Sequence, residues 1–369
     1  RSDSQWSDYL ARILPDHVVK SWPRTHKTGH LSMSGQVLRS VAAQFEVSHP
    51  GNPLTGVLDD LAAYKKVSKY ISSFGDSLIN KANVSPDQRV RARHNIAAAK
   101  TGRFSCSGPN LQQVPRDNDL LGEATSVRSS FISAPGHRLV SLDYSGIELR
   151  VLALLAEDDQ LLEDMVEGDV HAEVAAVIAG HPIDKTTPEG KKARTAAKGV
   201  SFGIIYGSGA AGLAVNMRTT VEKAEGYISF WADRYSNAFD YRNKMMAEAK
   251  RTRYIRVVDG GTIYMGKTPE LPQCANYPVQ RAALSVMGRA LIRHKNTLDD
   301  VRAAGQQSST KMISTIHDAI IDEALLADAR SCLSMMEQDM TDAYLDIFPA
   351  ASTLRLVEGG VGTSWANLD

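Results

Sequence analysis

Two carboxylates stand where carboxylates are costly. In "HRLVSLDYSGIELRVLALLA", Asp143 ends a strand-like apolar run just ahead of a helical one; in "KMISTIHDAIIDEALL", Asp318 sits at a tight turn between two β-branched runs. An acid placed against apolar strands loses hydration that only a paired cation or a strong set of hydrogen bonds restores. Asp143 taken alone reads as an ordinary helix N-cap. Taken together, two such residues on strand ends can converge on divalent metal. Two Mg²⁺ ions bridged by two carboxylates and substrate phosphates are a common device for in-line phosphoryl transfer. The chain must then bring segments far apart in sequence side by side, which limits its fold more than any other feature.

Phosphates need cations, and these must be local, because Lys plus Arg and Asp plus Glu balance at 42 each. The helix "PEGKKARTAAKGVSFGIIYG" supplies them: Arg194, Lys198, Phe202 and Tyr206 recur every four residues and share one face. Two cations followed by two rings suit a triphosphate at one end and a base and sugar at the other. An amphipathic helix with incidental charges would show the same spacing.

The rest of the chain sets the frame. Its 369 residues, 43% hydrophobic, suit two or three lobes of a globular protein. Three cysteines, Cys106, Cys274 and Cys332, are odd in number and lack metal-ligand spacing, which suggests free thiols in a reducing compartment. The sequence holds no apolar run near the ~20 residues that span a bilayer, and its start lacks a signal-peptide core. An intracellular protein is expected.

Short helices are expected over 1–50, broken by the loop "SWPRTHKTGH", then one long helix through "LTGVLDDLAAYKKVSKYISSF" to Gly75. Residues 76–135 read as mostly irregular, which in a compact protein is more often functional than idle. Strand, turn and helix follow around Asp143, and helices continue to about residue 250. "YIRVVDGGTIYMG" reads as a hairpin around Asp-Gly-Gly. A long helix begins at or after Pro278, and two short strands flank His317-Asp318.

These residues carry a resemblance. "DYSGIELR" at 143–150 resembles motif A of the family A DNA polymerases, the bacterial DNA polymerase I group with its phage and mitochondrial relatives. Arg194-x3-Lys198-x3-Phe202-Gly203-x2-Tyr206-Gly207 is similar to motif B, and Ile316-His317-Asp318 to motif C. "TGRFSCSGPNLQQVP" resembles the family's template and primer contact segment, and "NYPVQ" its Asn-x3-Gln signature. The five stand in the family's order, and the resemblance covers roughly 10–369.

The resemblance implies an α+β right-hand polymerase fold, with an antiparallel palm sheet, helical fingers and a partial helical thumb. By it, 1–100 would hold the partial thumb and thumb-to-palm helix, 101–165 and 256–369 the palm, and 166–255 the fingers. Asp143 and Asp318 would bind two Mg²⁺ ions, helped by the carbonyl of Tyr144. A primer 3′-hydroxyl would then attack the α-phosphate of a deoxynucleoside triphosphate. Arg194, Lys198 and His171 would hold the triphosphate, and Phe202 and Tyr206 would position nucleotide and template base. Glu148 would fill the space a ribose 2′-hydroxyl needs. Arg103, Asn110, Gln112, Asn276 and Gln280 resemble contacts to primer, template and minor groove, where shared acceptors are sampled without reading sequence. Lys65 and Lys69 would meet backbone phosphates.

Departures from the family pattern are Gly146 where many relatives have Gln, Ala319 where most have Glu, Ser201 for Asn or Thr, and Pro272 where bacterial members place an Arg. Members with Tyr at the place of Phe202 accept dideoxynucleotides readily. Two aspartates suffice to hold two metals, so the missing Glu matters less than either acid. The family's exonuclease domain and first long thumb helix have no counterpart in the sequence, which implies a fragment or a separate polypeptide supplying the remainder. The resemblance thus implies primer-template DNA and dNTPs as partners, a bacterial or phage-infected cytoplasm, and no membrane. A single-subunit RNA polymerase shares the two-aspartate palm, but Glu148 and "TGRFS" argue against it. A silent DNA-binding subunit is disfavoured by the presence of both aspartates and both cations.

Overall fold

The computed structural model describes residues 2–96, 98–115, 126–217, 219–306 and 309–368. The end of the irregular stretch 101–118 therefore falls outside the described residues from 116 onward. The chain divides into two compact units, one formed by 1–90 with 209–226, the other by 91–208 with 227–369.

The first unit is helical. α1 (Asp3–Ile13) opens with a capping box in which the Ser2 hydroxyl and the Gln5 side chain serve each other's backbone N–H groups. α2 (Asp16–Ser21) and α3 (Gly35–Ser48) flank the loop expected at "SWPRTHKTGH". α4 (Pro53–Phe74) starts on the Asn52 side chain, which accepts from Leu54 N–H at 3.0 Å, and stops at Gly75 as expected. Leu10, Leu38, Phe45 and Leu58 form its centre. α5 (Asp76–Val84) is the longest regular element in the stretch 76–135, whose described residues are otherwise mostly irregular as expected; one apolar residue of α5, Leu78, is buried, too little to show periodicity. α10 (Ala210–Met217) completes the unit, beside α3.

The second unit is built on a four-stranded antiparallel sheet in the order β6-β7-β3-β8. Its strands are β3 (His137–Tyr144), β6 (Lys311–Ile316), β7 (Ala319–Leu325) and β8 (Val357–Gly362). β8 gave no strand signal because its sequence is glycine-rich. A Cβ at Gly359 would lie 2.2 Å from the Ser141 carbonyl oxygen, so the close pairing with β3 requires glycine there. Two small hairpins, β1 (Arg93–Asn95) with β2 (Ser105–Ser107) and β4 (Tyr254–Arg256) with β5 (Thr262–Tyr264), stand apart from this sheet. The second is the hairpin expected around Asp-Gly-Gly, and Asp259 in its turn pairs with Arg281 at 2.8 Å.

α13 (Leu271–Ala303) and α14 (Ala329–Leu345) pack on each other, and α14 packs on β3 and β7. α13 overturns the expectation of a start at or after Pro278. It begins on Pro272 in its first turn and runs through the buried Pro278. A proline inside a helix costs about 3 kcal/mol, but Cys274, Ala275, Val279, Ala282 and Ala283 are all buried around it, and that burial outweighs the lost bond. The remaining helices are α6 (Ile147–Ala156), α7 (Asp159–Val166), α8 (Val170–Ala179), α9 (Pro188–Ile205), α11 (Val221–Arg234) and α12 (Ser236–Thr252).

Candidate active site

The antiparallel register of β3 and β7 brings Asp143 and Asp318 to adjacent strand ends. Asp143 faces Ala319, the neighbour of Asp318, and Tyr144 N–H donates to the Asp318 carbonyl at 3.2 Å. Asp143 does not cap the following helix: the N-cap of α6 is Gly146, at φ 59°, with no side-chain cap bond. Tyr144 sends its side chain inward, its hydroxyl donating to the Met340 carbonyl at 2.6 Å, which leaves its backbone at the strand end. His317 takes the left-handed φ of 55°, sparsely populated for a non-glycine residue, and its Nε2 donates to the Gln112 carbonyl at 3.1 Å. Asp318 shares a small cavity with Arg103, Phe104, Gln112, Leu284, Met287 and His317. Burial raises its carboxyl above the ordinary range, and the Arg103 charge only partly opposes this.

Glu148, in the first turn of α6, is buried and accepts from two partners, the Arg103 guanidinium and the Tyr206 hydroxyl. Tyr206 reaches it because α9 ends against the start of α13. Gly207 has φ 76°, and a Cβ there would approach Pro272 N to 3.0 Å. Glycine therefore fixes both the stop of α9 and the approach that seats Tyr206.

Along α9 the expected stripe is present. Arg194 Nε donates to Asp169 Oδ2 at 2.8 Å, and Lys185 Nζ lies 3.6 Å from the same oxygen. Asp169 caps α8, its Oδ1 accepting from His171 N–H at 3.2 Å and Ala172 N–H at 3.1 Å. Burial pushes the Asp169 carboxyl up, but Arg194, the Ala172 N–H and Lys185 together hold it below its ordinary value. The His171 ring lies 6.0 Å from that of Phe202, which lies 5.6 Å from that of Tyr206. Lys198 Nζ stands 5.8 Å from the Phe202 ring centre. Burial, with the charges of Arg194 and Lys198, lowers the His171 pKa to about 4, so its imidazole is neutral at neutral pH. Phe202 is half-buried, on the face that carries the stripe, whereas Val200, Ser201 and Ile204 point into the core.

Asn276 and Gln280 occupy successive turns of α13, both half-buried, and Asn110 follows β2. The Oδ1 atoms of Asn110 and Asn276 are buried without a hydrogen-bond partner among the described residues. Lys65 and Lys69 belong to the first unit, on α4; Lys65 pairs with Asp3, and Lys69 is exposed. Asp169 escaped the sequence reading, because Asp two residues before a helical His looks like a cap and nothing more. Its link to Arg194 depends on how α8 packs on α9.

The model of DNA polymerase family A matches residues 1–367. The chain belongs to DNA polymerase family A. It is 32% identical to DNA polymerase I of Rhizobium leguminosarum over 96% of its own length and 34% of that protein. To the thermostable DNA polymerase I of Thermus aquaticus it is 30% identical, over 97% of this chain and 41% of the relative. Among solved structures it is similar to the POL domain of Pol1 from M. smegmatis in complex with DNA primer-template and dNTP, at 26% identity. That match has a TM-score of 0.75 and covers 98% of this chain and 61% of the other. The α+β fold expected from the resemblance is thus that of a family A polymerase domain. The chain spans between a third and about two fifths of these curated relatives.

Proposed function

We propose that this family A domain is a template-directed DNA polymerase, adding deoxynucleoside monophosphates to a primer 3′-hydroxyl with release of pyrophosphate. The observation that carries the proposal is the β3–β7 register, which sets Asp143 beside the turn of Asp318. The M. smegmatis relative, with its primer-template and dNTP, supports the same ligands here.

The donors fit magnesium. Asp143, Asp318 and the Tyr144 carbonyl are hard oxygen ligands, and a cation beside the half-buried Asp318 would offset the burial that raises its carboxyl. Two Mg²⁺ ions held there would supply charge stabilisation for the attacking and leaving oxygens. The chain's own side chains do the rest of the work. Arg194 and Lys198 bind the triphosphate, and neutral His171 donates a hydrogen bond to it. Phe202 and Tyr206 seat base and sugar. Glu148, held by Arg103 and Tyr206, excludes a 2′-hydroxyl. Asn110, Gln112, Asn276 and Gln280 line primer and template, and Lys65 and Lys69 take backbone phosphates.

In this reading the thumb and thumb-to-palm helix lie in 1–100, the palm in 101–165 and 256–369, and the fingers in 166–255. The buried free thiols of Cys106, Cys274 and Cys332 fit a reducing cytoplasm, and no described helix is long and apolar enough to cross a membrane. Primer extension with purified chain, a primed template, Mg²⁺ and either dNTPs or rNTPs tests the proposal. Template-dependent extension with dNTPs supports it; extension with rNTPs alone would make the chain an RNA polymerase.

A further inference from the structure

Apart from the residues of the candidate active site, three elements meet on a buried polar cluster. His294 of α13, Asp322 of β7 and Cys332 of α14 are each 0% exposed. Their ligand atoms all lie within 4.8 Å of one another. His294 Nε2 is 2.8 Å from Asp322 Oδ2, and Cys332 Sγ is 3.4 Å from the same oxygen. Asp322 Oδ1 is buried with no hydrogen-bond partner among the described residues. On the far side of the imidazole, Nδ1 donates to Asp339 Oδ2 at 2.8 Å, and Asp339 Oδ1 accepts from Thr297 Oγ1 at 2.8 Å.

We propose that His294 Nε2, Asp322 and Cys332 Sγ form a structural site for a transition-metal ion of the zinc class, distinct from the magnesium pair. Nitrogen, oxygen and sulfur donors suit such an ion and not magnesium. A carboxylate on the far nitrogen of a ligating histidine is the usual device that fixes its tautomer and orientation, and Asp339, itself held by Thr297, occupies that place. The unpartnered Asp322 Oδ1 gives the carboxylate a second oxygen that can turn to the ion. Near-tetrahedral zinc with bonds of about 2.0–2.3 Å sets donors from different residues about 3.3–3.8 Å apart, so His294 and Asp322, at 2.8 Å, would move apart by roughly half an ångström.

A divalent ion there needs His294 Nε2 free of its proton and Cys332 as the thiolate, so the metal is taken up with release of protons. The ion would tie α13, β7 and α14 together. Its ligands are shut from solvent, so it enters as the chain folds, and binding to the folded state alone raises stability by mass action.

The test is expression in cobalt-supplemented medium, followed by metal analysis and absorption spectroscopy of the purified chain in a magnesium-free buffer. About one cobalt per chain is expected, with a thiolate-to-cobalt charge-transfer band. That band should vanish in Cys332→Ser and in Asp322→Asn, and persist in Asp318→Ala. Circular dichroism establishes that each variant is folded, and Cys332→Ala replaces Cys332→Ser if the latter is not. Substoichiometric cobalt in the wild type, a band that survives loss of Cys332, or binding that disappears only with Asp318 would overturn the proposal. The cluster would then be a metal-free Asp–His–Asp triad.

Discussion

Tyr206 donates a hydrogen bond from its hydroxyl to the carboxylate of Glu148, joining the C-terminal end of α9 to the first turn of α6 behind Asp143. Glu148, the proposed sugar selector, is therefore held from two sides, by Tyr206 and by Arg103. Truncation to Ala removes the filling group and frees both partners. Glu148→Ala is expected to narrow the preference for dNTPs over rNTPs by about tenfold or more, as loss of an excluding side chain does. Single-nucleotide incorporation kinetics with matched dNTP and rNTP measure this, and an unchanged ratio places the sugar selector elsewhere.

Lys198 is exposed on the stripe, and in the proposed function its charge serves phosphates common to every nucleotide. Lys198→Ala should lower kcat/KM for all four dNTPs alike, by about 10- to 100-fold, the scale of one charged hydrogen bond. A loss confined to one base would show that α9 is misplaced against the substrate.

Phe202 lies between His171 and Tyr206 and is half-buried. A nucleotide-facing ring without a hydroxyl should discriminate against dideoxynucleotides, and Phe202→Tyr should relax that discrimination with little change in melting temperature. Were the ring a core group, the added hydroxyl would cost about 1–3 kcal/mol and leave selectivity untouched. Incorporation of ddNTP against dNTP, alongside thermal denaturation, separates the two.

His171 carries a pH dependence of definite sign. Its folded pKa, about 4, lies below the ordinary value of 6.5, so the unfolded chain binds the proton more tightly. Stability is fully present above 6.5 and is lost as pH falls through the window from 6.5 to 4. Bound triphosphate would bring negative charge that favours imidazolium, so the His171 pKa should rise on dNTP binding. An NMR titration of the ring proton with and without dNTP checks both statements, and His171→Phe should flatten the stability profile in that window.

Much of this was legible in the sequence because it depends on local pattern. The i, i+4 stripe of α9 and the β-branched runs around His317-Asp318 each declare their element without tertiary help. What stayed hidden depends on packing between distant segments. Pro278 reads as a helix start, yet apolar burial carries α13 through it. Gly359, Gly360 and Gly362 suppress the strand signal of β8, although close pairing with β3 is what admits them. Asp169 reveals itself only once α8 lies on α9 and Arg194 is seen bonded to it. The spacing of His294, Asp322, Cys332 and Asp339 carries no metal motif, because three separate elements contribute the donors.

The central claim is that Asp143 and Asp318, brought side by side by the β3–β7 register, hold the catalytic metals. DNA affinity should come from cationic and polar contacts elsewhere, because carboxylates do not attract a polyanion. The most direct measurement is primer extension by Asp143→Ala and Asp318→Ala in Mg²⁺, with primer-template affinity measured on the same preparations. The account expects each variant to lose most of its extension while binding primer-template with near-wild-type affinity. Near-normal turnover in either variant would contradict it.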